Sequence, residues 1–113
     1  MKLWIDDVRP APEGYMWCKS VNKAKSMISM VEHIFSKYSI YRPSTGESRK
    51  EAIELIDIDH DAGDYVEDGG DYIKLLDWFE ETGRNYPIHI HSMNPVGVAN
   101  MRAIIQKNGW EEV

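Results

Sequence analysis

Short apolar runs alternate along the chain with longer segments in which apolar residues return every three or four positions. Lys2 to Ile5, Tyr15 to Cys18, Ala52 to Ile58 and Ile88 to His91 read as short strands, rich in isoleucine and aromatic residues. From Ser20, a good N-cap, Val21, Ala24, Met27, Ile28, Val31, Ile34 and Phe35 recur at helical spacing and predict a helix over about 21–37. Tyr72, Ile73, Leu75, Leu76, Trp78 and Phe79 predict a second, stopped near Thr82-Gly83. A third is predicted over Pro95 to Asn108, with Val98, Met101, Ile104 and Ile105 on one face and Gly109 just past its end. Arg9 to Gly14 is too rich in proline for helix, residues 39–50 predict a loop or hairpin around Pro43 and Gly46, and Asp59 to Gly70 predicts a loop. Trp110 to Val113 allows a short edge strand. The alternation predicts an α/β fold: a mostly parallel sheet of four to five strands with about three helices, covered on both faces as three layers.

Three of the strands run straight into polar clusters. Leu3-Trp4-Ile5 is followed by Asp6-Asp7, Leu55-Ile56-Asp57-Ile58 by Asp59-His60-Asp61, and Ile88-His89-Ile90 by His91-Ser92-Met93-Asn94-Pro95. Neighbouring parallel strands would bring these clusters to one edge of the sheet, where open α/β folds bind ligands. The collected carboxylates, imidazoles, hydroxyl and amide suit a divalent cation and a phosphate. Asp6 and Asp7 offer the hard oxygens that Mg²⁺ takes, and Asp59 can complete the shell or attack phosphorus. His60 or Asp61 can move a proton. His91, at a strand end, is the better acid or base, and His89 is expected deeper in the core on the same side of the sheet. Ser92 and Asn94 can donate to phosphate oxygens beside the helix start at Pro95, and Arg9 is a candidate phosphate clamp, with Arg102 a second. Most of the tryptophans and tyrosines are expected in the core, with Trp17 and Tyr15 the candidates for base contact.

Composition narrows the classes. A chain of 113 residues, 42% hydrophobic and 28% charged, is expected to form a single domain over 1–113. The single cysteine, Cys18, excludes an internal disulfide framework, and no apolar run reaches the ~20 residues of a membrane span. No basic leader followed by an apolar stretch opens the chain, so a cytoplasmic location is expected. A net charge of −6 argues against gripping an extended nucleic-acid duplex, while leaving room for an RNA end held through a metal. Oligomeric state is not legible.

The order acidic pair, aspartate, serine at successive strand ends resembles the receiver domain of two-component signalling. In that family the pair binds a divalent cation, the aspartate after the third strand accepts a phosphoryl group, and the residue at the serine position contacts it. Asp6, Asp7, Asp59 and Ser92 occupy those places. No counterpart of the receiver lysine is found after Gly109, and the proline segment stands where a first helix would be. The strings Trp4-Ile5-Asp6-Asp7-Val8-Arg9-Pro10, Asp59-His60-Asp61-Ala62-Gly63 and His91-Ser92-Met93-Asn94-Pro95-Val96-Gly97 are more similar to cyclic-phosphate-processing receiver-like domains. The resemblance covers nearly the whole chain. It implies a receiver-like (flavodoxin-like) fold and a role in handling cyclic phosphates on nucleotides or RNA ends, with RNA repair as its setting.

The residues and the resemblance together predict a Mg²⁺- or Mn²⁺-dependent cyclic phosphodiesterase. Asp6, Asp7 and Asp59 hold the metal, Asp59, His60, Asp61 and His91 carry the chemistry, and Arg9, Ser92 and Asn94 hold the phosphate. The rival is a non-catalytic receiver-like module that binds a partner protein through a metal or phosphate pocket. Asp57, Asp59 and Asp61 also match the start of a calcium loop, but the sixth position is Ala62 and the twelfth Asp68, which argues against an EF-hand. His60-Asp61 matches His-Asp phosphohydrolases, which are all-helical, and a preceding strand argues against that.

Overall fold

The structure is a computed structural model, and it describes residues 1–39 and 52–113. Four strands, β1 (Lys2–Ile5), β2 (Tyr15–Cys18), β3 (Leu55–Ile58) and β4 (Ile88–Ile90), form one parallel sheet in the order β2-β1-β3-β4. Three helices accompany them among the described residues: α1 (Val21–Ser39), α2 (Ile73–Thr82) and α3 (Pro95–Asn108). This is the expected α/β receiver-like fold. The loop or hairpin expected over 39–50 lies, from residue 40 onward, outside the described residues.

Local chemistry sets most boundaries. Ser20 Oγ accepts from the backbone N–H of Lys23 at 3.0 Å, so the predicted N-cap starts α1. Gly83 and Gly109, with φ of 70° and 67°, adopt the left-handed conformation that ends α2 and α3. The strand expected from Ala52 begins three residues later, at Leu55; Ala52 and Ile53 are buried ahead of it. Asp59–Gly70 contains one short 3-10 turn, Gly63–Tyr65. The tail reaches the sheet as an isolated bridge between Ile88 and Glu112 rather than as a strand.

Alternation along the strands separates two unlike faces. Leu3, Ile5, Ile56, Ile58 and Ile88 are fully buried and share one cluster with Val21, Ala24 and Ile28 of α1, Leu75, Leu76 and Phe79 of α2, and Met101 and Ile105 of α3. The other face presents Trp4, Asp57 and His89 in register across β1, β3 and β4. The helical cover expected on that second face is not found among the described residues. The connection from β1 to β2 that would supply it is the proline segment, which cannot be helical. The strand ends therefore emerge beside a polar and aromatic face.

Candidate functional site

The ladder continues past the strands and carries the three polar clusters with it. Asp6 N–H donates to Cys18 O, Asp59 N–H to Ile5 O and His91 N–H to Ile58 O, at 3.3, 2.9 and 3.0 Å. Asp6, Asp59 and His91 thus meet at adjacent strand ends, where one ligand atom from each lies within 4.8 Å of the others. Residues 85 positions apart in sequence become hydrogen-bond partners.

His91 is the centre of this cluster. Its Nε2 meets Asp6 Oδ2 at 2.8 Å and its Nδ1 meets Asp57 Oδ1 at 2.7 Å. The ring stacks on Trp4 with centroids 3.9 Å apart and planes within 3°. Burial works against its positive charge, but the bonds to Asp57 and Asp6 outweigh it and raise the imidazole pKa above its ordinary value. With a carboxylate facing each nitrogen, the ring is placed so that its protonated form can donate at both.

Asp6, with no exposed surface, is organised by the turn that follows β1. Its Oδ1 accepts from the backbone N–H groups of Val8 and Arg9 at 3.0 and 2.9 Å. Burial by itself would raise its pKa, yet these donors and His91 bring it below the ordinary carboxylate value. Asp7 moves the other way: burial and then the charges of Asp6 and Asp59 raise it. Its carboxylate lies against Gly63, where an added Cβ would stand 2.2 Å from Oδ2. Asp59 Oδ1 caps its neighbour's backbone N–H, that of His60, at 2.8 Å.

The other predicted residues divide between site and scaffold. Arg9 Nη1 donates to His91 O at 3.0 Å, which keeps its guanidinium at the same edge. Ser92 Oγ accepts from Asn94 N–H at 3.1 Å. His60 Nδ1 meets Asp61 Oδ1 at 2.8 Å, and the ring lies where an added Cβ on Gly97 would come within 2.4 Å of it. Asn94 is committed: Oδ1 accepts from Gly97 N–H as the N-cap of α3, and Nδ2 donates to both Asp61 oxygens at 3.3 Å. It therefore positions Asp61 and the helix rather than presenting a free amide.

Two expectations are corrected. Arg102 does not reach the edge; its Nε and Nη2 pair with Glu112 at 2.8 to 2.9 Å on the surface. His89 is exposed rather than deep, with Nδ1 at 2.7 Å from Val113 O, because it lies on the face that no described helix covers.

A family model described as the cyclic-phosphate processing receiver domain matches residues 1–107. The chain belongs to this family. Searches of curated proteins and of solved structures found no match. No helix among the described residues is long and apolar enough to cross a membrane.

Within this cyclic-phosphate processing receiver domain, sequence reasoning missed Asp57 and the Trp4 stack. A signal for Asp57 existed, since a carboxylate in an otherwise apolar strand needs a buried partner, and Asp57 alternates onto the face of His89 and His91. The three polar clusters meet at one place, and the sheet order brings them there.

Proposed function

We propose that this domain opens a cyclic phosphate on a nucleotide or RNA end as a divalent-metal-dependent phosphoesterase. The convergence of Asp6, Asp59 and His91 at one sheet edge supports this most, with the family's description alongside. The residues fit a cation. Several carboxylates are gathered around one imidazole, and burial followed by the charges of Asp6 and Asp59 raises the Asp7 pKa, a repulsion that a bound cation would relieve. Asp6 and Asp59, with Asp7 beside them, would hold Mg²⁺ or Mn²⁺, which neutralises charge building on the phosphate oxygens.

The chain's own residues account for the protons. Water oxygen bonds to phosphorus while one bond from phosphorus to a ribose oxygen breaks. The departing oxygen takes the Nε2 proton of His91, held in place by Asp57 and Trp4. The proton released by water passes to His60, whose Nδ1 is fixed by Asp61. Arg9 keeps guanidinium donors beyond the one on His91 O, and the Ser92 hydroxyl can donate, so both can bind phosphate oxygens. The product is the open phosphomonoester.

The test is turnover of 2′,3′-cyclic and 3′,5′-cyclic nucleotides and of an RNA with a 2′,3′-cyclic end, with Mg²⁺, Mn²⁺ or EDTA. The native chain should turn over at least one of them with metal and none with EDTA. Asp59→Asn should abolish turnover while leaving the circular dichroism spectrum native, and His91→Ala should lower the rate by roughly 10²–10⁴-fold. No turnover by the native chain on any of these overturns the reading. The non-catalytic module is then favoured, consistent with an Asp6 whose two oxygens are both engaged internally.

A further inference from the structure

A cavity of about 400 Å³ is lined by Trp17, Lys19, Ser20, Lys23, Tyr65 and Asp68. That volume is within the range of small-ligand sites, about 300–1,000 Å³. Two aromatic rings from different parts of the chain border it, and both are tied to the acidic pair. Trp17 Nε1 donates to the main-chain oxygen of Asp6 at 2.8 Å, which fixes the indole at the end of β2. Tyr65 ends the short turn whose first residue, Gly63, abuts the Asp7 carboxylate.

The charges of the lining are asymmetric. Asp68 is occupied, with Oδ2 accepting from Ser20 Oγ at 2.5 Å and Oδ1 from Asn22 Nδ2 at 3.1 Å. Lys19 Nζ stands 4.5 Å over the Trp17 ring, and neither Lys19 nor Lys23 is in an ion pair among the described residues. Flat π-faces flanked by ammonium groups match a nucleobase, which stacks whatever its sequence and carries a phosphate on its sugar.

We propose that this cavity is a nucleobase subsite, seating the base of a nucleotide between Trp17 and Tyr65 while its phosphate reaches the edge at Asp6 and Asp59. The assignment deepens the cyclic-phosphate reading and rests on it only for the destination of the phosphate. It makes the substrate class a nucleotide or RNA terminus, as opposed to a cyclic phosphate on some other carrier.

Binding is measured by calorimetric titration in EDTA with 3′-AMP and with ribose 5-phosphate, which lacks the base. The native chain should bind 3′-AMP at least tenfold more tightly. Tyr65→Ala, a change at an exposed ring, should weaken 3′-AMP by roughly 5- to 150-fold and leave ribose 5-phosphate unchanged. Equal affinity for the two probes, no binding of 3′-AMP, or 3′-AMP binding indifferent to Tyr65→Ala overturns the subsite. The readout needs neither metal nor turnover, so it succeeds or fails separately from the phosphoesterase reading. Turnover that persists unchanged in Tyr65→Ala would sink the subsite and leave that reading standing.

Discussion

Removing the imidazole of His91 should cost this domain a large part of its stability. The ring lies between Asp6, with 0% of its surface exposed, and Asp57, with 6%. Deleting one partner of a buried charge pair costs about 3–5 kcal/mol, because the remaining charge is left without compensation. Asp6 Oδ1 retains its backbone donors from Val8 and Arg9, which places His91→Ala near the lower end, at about 3 kcal/mol. In a domain of this size that corresponds to a fall of ~12 °C in Tm. The native chain, His91→Ala and His91→Phe are compared by urea unfolding in EDTA from pH 5 to pH 9. Phenylalanine keeps a ring against Trp4 but supplies no charge, so it should recover at most the stacking part, about 0.5–1.5 kcal/mol.

The pH dependence gives the sharper test. His91 has a folded pKa above its ordinary 6.5, so its contribution is fully present below that value and is lost as pH rises through the raised one. Asp6 has a folded pKa below its ordinary 3.8, so its contribution is present above that value and is lost as pH falls through the lowered one. The gap between native and His91→Ala should be widest at about pH 5 to 6 and should narrow on the alkaline side. A gap below about 0.5 kcal/mol at pH 6, full recovery by phenylalanine, or a gap independent of pH would refute the buried-imidazolium argument.

Three further outcomes follow from the same contacts. Asn94→Ala should lose about 1 kcal/mol through the missing N-cap of α3, and NMR should show the Asp61 side chain released from its place beside His60. Gly63→Ala should be destabilised by at least about 1–2 kcal/mol in thermal melts, since its φ of +54° is unfavourable for an L-residue and the added methyl meets the Asp7 carboxylate. Arg102→Ala, which breaks a surface pair with Glu112, should leave the thermal melt close to native and any cyclic-phosphate turnover at the native rate.

The elements were legible because each rests on a local rule. β2 and α3 match their predicted bounds, and Ser20, Gly83 and Gly109 act as caps whose chemistry belongs to the residue itself. The meeting of Asp6, Asp59 and His91 was legible one step further on, since parallel neighbouring strands must bring their carboxyl ends together. Partner choice was not legible. An asparagine can cap a helix or bind a phosphate, and Asn94 caps; an arginine can clamp an anion or pair on the surface, and Arg102 pairs with Glu112.

Periodicity and turn chemistry alone determined a parallel α/β sheet whose acidic strand ends share an edge, because strand and helix periods are written in neighbouring residues. Only the tertiary structure decided that the helices would gather on the Leu3 face, leaving the opposite face to Trp4, Asp57 and His89. It alone set the His91 ring between Asp57 and Asp6, against the Trp4 ring, and so raised its pKa. That arrangement depends on carboxylates and a ring brought from three strands, and only once those groups are packed together do the bonds to Asp57 and Asp6 outweigh the desolvation of the imidazole.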